Sequence, residues 1–168
     1  MAFPTFFAPT ISWQNSGARM LANLGPAYDL RLYEGARLIA SVRRDLPPRA
    51  PTVQDLEATF PDGLVLQLPR GNCTIPVSEL MERVGVADTM PAVHGLTLLS
   101  DGTMWVQRSV RNQRPVVLDV FGSDGAYVGT VRGYHLPVGL LPNGELLVPI
   151  DDEASGGLVI VRLRVVRR

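Results

Sequence analysis

The sequence contains no lysine, a single cysteine and no long uninterrupted apolar run. All 16 basic residues are arginines, a bias that we attribute mainly to codon usage, and 16 acidic residues balance them. Because the formal net charge is zero, the composition does not favour capture of nucleic acid or of an anionic membrane. With Cys73 as the only cysteine, an internal disulfide is excluded and the redox compartment stays open.

Targeting signals are also missing from the sequence. Residues 1–9 have no basic n-region and only a broken apolar stretch, so they do not form a secretory signal. No apolar run approaches the length of a membrane-spanning helix. We therefore expect a soluble, unexported protein, cytoplasmic by default.

The composition describes one ordered domain built from short strands. Over 168 residues, 46% are hydrophobic and 19% charged, which is typical of a globular chain that can bury a core. The 14 prolines and 16 glycines suit strands joined by turns better than helices. We expect a single domain over residues 1–168.

A strand-and-turn unit recurs about every 42 residues. The turn glycines Gly102 and Gly144 are 42 residues apart, and Gly17 precedes Gly102 by 85, about twice that interval. A period of 40–45 residues made of short strands is typical of a propeller blade. The sequence therefore predicts an all-β fold of about three propeller-like antiparallel blades, at about 9–44, 93–134 and 135–168.

Alternating apolar residues and turn signals place the strands within each blade. In the first blade the strand candidates are Thr10–Gln14, Arg19–Asn23, Tyr28–Tyr33 and Arg37–Arg43, with a turn at Asn15-Ser16-Gly17. In the second they are 94–99, 104–110, 115–121 and 126–132, with Asp-Gly turns at 101–102 and 124–125. In the third they are 137–141, 145–150 and 157–166.

Residues 45–92 interrupt the pattern. A capping sequence at Thr52–Asp55 predicts a short helix to about Thr59, residues 63–68 read as a strand, and Pro76–Val84 as a helix that stops at Gly85. We interpret this segment as a short helical insertion between blades. A degenerate fourth blade is the alternative.

Several motifs resemble those of a known family. Met90-Pro91-Ala92 followed by Leu98–Val106 is similar to the start of a blade in bacterial six-bladed β-propellers of the NHL-like type. Val117–Val131 resembles that family's next hairpin, and Leu158–Leu163 its closing strand. Residues 33–48 are similar to the preceding blade and its linker. The resemblance implies C-terminal blades of such a ring, and three blades leave two inter-blade faces to be covered.

Few residues are candidates for chemistry. His94 and His135 stand just before the innermost strands of successive blades, where propeller channels hold ligands, so they are weak metal candidates, although loop histidines are the preferred interpretation. Asp151-Asp152-Glu153 reads as a solvated hairpin tip, and Cys73 as an inert thiol. Without a catalytic or cofactor motif, we predict no catalytic, cofactor or metal site.

The predicted function follows from the incomplete blades. We expect a non-catalytic interaction or structural subunit of a larger assembly, with a protein partner or a second copy and no nucleic acid. Interface candidates are Arg43, Arg44, Arg162 and Arg164, whereas Trp13 and Trp105 read as inter-blade packing. The alternative is a lactonase-like hydrolase or lyase, assembled as an oligomer, with a metal near the two histidines. A small-molecule sensor is a third hypothesis.

Overall fold

The computed structural model describes residues 6–8, 11–46, 49–83, 85–110, 115–152 and 154–165. The described chain is mostly antiparallel β structure, with four sheets and two short helices. The prediction of an all-β fold with a short helical segment is therefore confirmed at this level. Neither helix in the described residues has the length and apolarity needed to cross a membrane.

The first sheet, sheet 1, contains four strands in sequence order. They are β1 (Ser12–Ser16), β2 (Arg19–Asn23), β3 (Tyr28–Glu34) and β4 (Arg37–Arg44). The predicted turn at Asn15–Gly17 is wrong in detail, because Ser16 pairs with Arg19 and only Gly17 and Ala18 lie between the strands. Gly17 has φ 60°, a conformation that glycine adopts without a steric cost.

The insertion contains two helices and a hairpin. Its elements are α1 (Val53–Thr59), β5 (Leu64–Leu68), β6 (Gly71–Ile75) and α2 (Val77–Arg83). Both predicted helices and the predicted strand are confirmed, whereas β6 was not predicted. The two strands form a two-stranded sheet of their own.

The insertion has its own small core and a charged link to the rest of the molecule. Leu56 and Leu80 are fully buried. Arg49 pairs with the buried Asp55 through two contacts of 2.7 Å. The Arg49 guanidinium also donates to the carbonyl of Val110 at 3.3 Å, so that one side chain joins the insertion to the following strands.

The remaining strands form sheets 2 and 3. Sheet 2 contains β7 (Val93–Leu98), β8 (Met104–Arg108), β9 (Val117–Phe121) and β10 (Tyr127–Arg132). Sheet 3 contains β11 (Gly139–Leu140), β12 (Leu146–Asp152) and β13 (Gly157–Leu163), so β13 is an edge strand. Each predicted strand of these two sheets is confirmed, with β11 shorter than expected.

The three sheets are stacked face to face, with sheet 2 in the middle. Leu96, Val106 and Phe121 pack against sheet 1, and Trp105 and Leu118 pack against sheet 3. Because successive strand residues point to opposite faces, β9 is buried along its whole length. Sheets 1 and 3 each cover one face of sheet 2 and turn their other face outward.

Candidate functional site

A buried carboxylate joins sheets 1 and 2. Asp119 on β9 is completely buried and accepts hydrogen bonds from Arg108 and from Thr130 on the same sheet. From sheet 1, the Tyr28 hydroxyl donates to it at 3.0 Å, and Arg44 Nη1 lies 2.8 Å from Asp119 Oδ2. The joint therefore takes groups from both sheets.

The partners of Asp119 keep it ionised. Burial would raise the pKa of its carboxyl, but hydrogen bonds from Arg108, Thr130 and Tyr28 outweigh this effect and lower the pKa below its ordinary value. The same burial, together with the Asp119 charge, raises the pKa of Tyr28. An ionised Asp119 beside a neutral Tyr28 is the charge state that this geometry supports.

The interface candidate Arg44 is thus engaged inside the protein. In addition to its contact with Asp119, its guanidinium lies 5.2 Å from the centre of the Tyr127 ring, within the range of a cation–π interaction. Sequence reasoning did not select Tyr28, Arg108 or Asp119. The available signal was an acidic residue in the middle of the apolar strand Val117–Phe121.

The two histidine candidates line one open cleft at the end of sheets 2 and 3. The cleft has a volume of about 650 Å³, and its walls include His94, Gln107, Tyr134, His135 and Asp151. His135 Nε2 lies 3.5 Å from Asp151 Oδ2. The structure therefore brings both histidines and the first residue of the acidic turn together at one place.

The described residues of this cleft do not form a metal centre. Within the described residues, no group of three or more His, Cys, Asp or Glu side chains is arranged to hold a metal ion. Burial lowers the pKa of His94, although part of the ring is exposed at the rim. Cys73 lies apart from the cleft on β6, where it is exposed and free.

The outward face of sheet 3, which we call the sheet-3 face, is apolar, and no other described segment covers it. The β12–β13 register places the following side chains on it: Leu147, Pro149, Leu158, Ile160 and Arg162. Asp151 lies opposite Leu158 at one end of the same face. Leu158 and Ile160 are 63% and 62% exposed. Arg162 is exposed at the other end, while Arg164 lies 3.7 Å from Glu145.

The outward face of sheet 1, which we call the sheet-1 face, combines aromatic and cationic side chains. Strand register places on it Trp13, Met20, Ala22, Arg31, Tyr33 and Arg43. Trp13 is 59% exposed, so its predicted packing role is not fulfilled within the described chain, whereas Trp105 is buried between sheets 2 and 3. The Arg43 and Arg31 side chains flank Asp29 at 3.2 and 3.5 Å.

Thus Arg43 and Arg162 lie on opposite outer faces of the stack, and Arg44 lies at an internal joint. Trp, Tyr and Arg side chains are enriched at protein interfaces, and the sheet-1 face carries all three, with Trp13 and Arg43 exposed and Tyr33 half-buried. Comparison of the chain with protein-family models, with curated proteins and with solved structures found no match.

Proposed function

We propose that this protein is a non-catalytic interaction or structural subunit whose outer sheet faces bind protein. The observation that carries the proposal is the uncovered sheet-3 face. In sheet 2, which has a neighbour on each side, the corresponding apolar side chains are buried on both faces. Leu158 and Ile160 instead remain more than half exposed, and contiguous exposed apolar side chains mark interaction sites.

The free energy available from this face is substantial. Full burial of a leucine or isoleucine side chain contributes roughly 1.5–3 kcal/mol. Leu158 and Ile160 are neighbours on one flat strand face beside Pro149, so one partner surface would cover all three together. Such a cluster is typical of the apolar centre of an interface, and charged residues at both ends are typical of its rim.

We also propose that the three sheets are β-propeller blades of the NHL-like type that make up an incomplete ring, with three strands in the described part of sheet 3. The turns at 99–103 and 141–145 support this, because they have the same hydrogen bonds and lie one 42-residue interval apart. Alternate faces of sheet 2 pack on successive sheets, which is the way propeller blades pack. In this interpretation the two outer faces are inter-blade faces.

A second candidate function is ligand chemistry in the end cleft, as in a lactonase-like hydrolase or lyase. It is favoured by the presence of His94, His135 and Asp151 around one cavity. Its test is metal content and small-ester hydrolysis of the purified protein, with the His94→Ala, His135→Ala double variant as control. A bound metal and an activity that the double variant loses would support it, and absence of both would exclude it.

The interaction proposal is tested by co-purification from the cells that make the protein. We expect a stoichiometric protein, either another chain or a second copy, to purify with the wild type and to be lost with Ile160→Arg. Leu68→Arg is the matched control, because Leu68 is 54% exposed but lies in the insertion. If all three forms purify as folded single chains without a partner, the proposal is wrong.

A further inference from the structure

We propose that the partner is a second copy of this chain, and that the sheet-3 face of each copy packs on the sheet-1 face of the other. This inference rests on the proposed function, since it names the occupant of the same faces. It requires both outer faces to be interfaces at once. The resulting pair would be a closed two-fold assembly of six stacked sheets.

The compositions of the two faces are complementary. The sheet-3 face is aliphatic, whereas the sheet-1 face offers the broad Trp13 and Tyr33 rings between charged groups. The sheet-1 face carries two cations, Arg31 and Arg43, around the single carboxylate of Asp29, so two such faces packed on each other would both bring an excess of positive charge, which is unfavourable. The sheet-1 face therefore fits the sheet-3 face better than it fits itself.

Opposite charges lie at one end of this contact and favour one register. The backbone of Ala92 donates to Pro26, so the start of β7 and the β2–β3 turn lie at one end of the stack, next to Asp29 and Arg43. The cleft places Asp151 and His94 at that same end. When the sheets stack in the sense that they use internally, Asp151 of one copy, on the second strand of sheet 3, lies at the same end of the contact as Arg43 of the other, on the fourth strand of sheet 1. Both side chains are about 70% exposed, at 71% and 72%.

The shape of the stack favours closure over an open filament. The innermost strands β1 and β7 lie close beside each other, whereas the outermost strands β4 and β10 lie farther apart. Sheets that converge at one edge form a wedge, so each added sheet rotates in the same direction. A head-to-tail contact with such a rotation closes into a ring if the rotations complete a full turn, and the proposed pair requires that six sheets do so.

The test is the oligomeric state, measured by light scattering during size-exclusion chromatography. The wild type and Leu68→Arg should both be dimers. Ile160→Arg on the sheet-3 face and Trp13→Arg on the sheet-1 face should each be monomers with unchanged circular dichroism. An equimolar mixture of these two variants should regain dimers, because it retains one of the two contacts intact.

A charge exchange tests the register without touching the apolar residues. Arg43→Glu should weaken dimerisation about tenfold, and adding Asp151→Arg in the same chain should restore it. If Trp13→Arg fails to fold, this pair of variants still decides the question. A double variant that is weaker than the single variant would overturn the register.

Other outcomes overturn the inference in distinguishable ways. A dimer abolished by Ile160→Arg but unaffected by Trp13→Arg would mean that two sheet-3 faces pack on each other. A mass that grows with concentration would mean an open filament. A wild-type monomer that still requires Ile160 to bind another protein would overturn the second copy as partner and leave the proposed function standing, whereas a monomer without any such partner would remove both.

Discussion

At the scale of single residues, Asp119 is the most constrained group in the molecule. It is buried at the joint between two sheets, with two arginines, a tyrosine and a threonine around one carboxylate. A buried charge is tolerated only when its oxygens are satisfied. The stability of the sheet 1–sheet 2 joint should therefore depend on the ionised form of this one side chain.

We predict that Asp119→Asn destabilises the protein by about 3 kcal/mol, because it leaves Arg44 and Arg108 facing each other without their anion. The loss should depend on pH. The pKa of Asp119 is lower in the folded state than its ordinary value of 3.8, so its contribution is fully present above that value and is lost as the pH falls through the folded-state pKa.

Urea unfolding of both forms between pH 3 and 7 measures this difference. The exposed Asp62 provides the control, because it lies outside the joint between sheets 1 and 2. Asp62→Asn should change the free energy of unfolding by less than about 0.5 kcal/mol. A difference between wild type and Asp119→Asn that stays constant down to pH 3 would contradict the assigned charge state.

This joint was not predictable from the sequence. Its hydrogen bond from Tyr28 to Asp119 spans 91 residues, and nothing local distinguishes Arg44, which is internal, from Arg43, which is exposed. Adjacent strand residues point to opposite faces, but which face is inward depends on a sheet that comes much later in the chain. The sequence could identify the arginines as a pair but not assign them to faces.

At the scale of elements, the repeating unit is the five-residue turn. The loops 99–103, 122–126 and 141–145 share two backbone hydrogen bonds each. In each, an Asp or Asn side chain accepts from the backbone two residues later, the Asx turn that favours these residues. The hairpin at Gly17 has a shorter turn, which explains why its copy of the motif is the weakest.

We predict that Gly102→Ala is more destabilising than Gly144→Ala, although the two glycines occupy the same turn position. Their φ angles are 86° and 80°, so each alanine carries a backbone cost of about 1–2 kcal/mol. At Gly102 the new methyl group would also lie 2.6 Å from Arg19 Nη1 and 2.8 Å from Ser123 Cβ, whereas at Gly144 it would meet nothing within 4 Å. Crowding should add about 1 kcal/mol or more.

Thermal unfolding of the two variants measures the backbone cost and the cost of crowding, with Gly144→Ala as the control for the backbone cost alone. Equal losses would mean that the Arg19 and Ser123 side chains move away without a cost. A larger loss for Gly144→Ala would contradict the packing between the two turns.

The strands could be predicted from alternating apolar residues and from turn residues, because strands such as Tyr28–Glu34 and Leu146–Asp152 pack one face against a core. The strand β6 was missed because Gly71-Asn72-Cys73-Thr74 has no apolar alternation. It forms by pairing with β5, and pairing with a neighbour can override a weak local propensity.

At the scale of the whole molecule, the sequence predicted three strand units, and the structure adds their stacking order. The apolar residues of β9 carried the information on this order, since a strand that is buried on both faces has a continuous apolar sequence. The two tryptophans lie on different strands, Trp13 on β1 and Trp105 on β8, and one is exposed whereas the other is buried. Trp13 is on the outward face of sheet 1, which ends the stack, whereas Trp105 is on the face of sheet 2 that sheet 3 covers.

We predict that tryptophan fluorescence depends on protein concentration. In the proposed pair Trp13 is covered by the sheet-3 face of the other copy, so dilution should shift the emission to longer wavelength and make one of two tryptophans accessible to acrylamide. Trp13→Phe leaves the buried Trp105 as the only tryptophan and should lose the shift. A shift that persists in Trp13→Phe, or none in the wild type, would contradict the burial of Trp13.

The single exposed thiol on β6 gives this molecule a natural reporter position. Cys73 lies in the insertion hairpin, outside both outer faces, so a spin label or a fluorophore can be attached at one defined site without any substitution. In a two-fold pair the two labels are related by symmetry and yield one distance. Its geometry can then be measured in solution on the unaltered sequence.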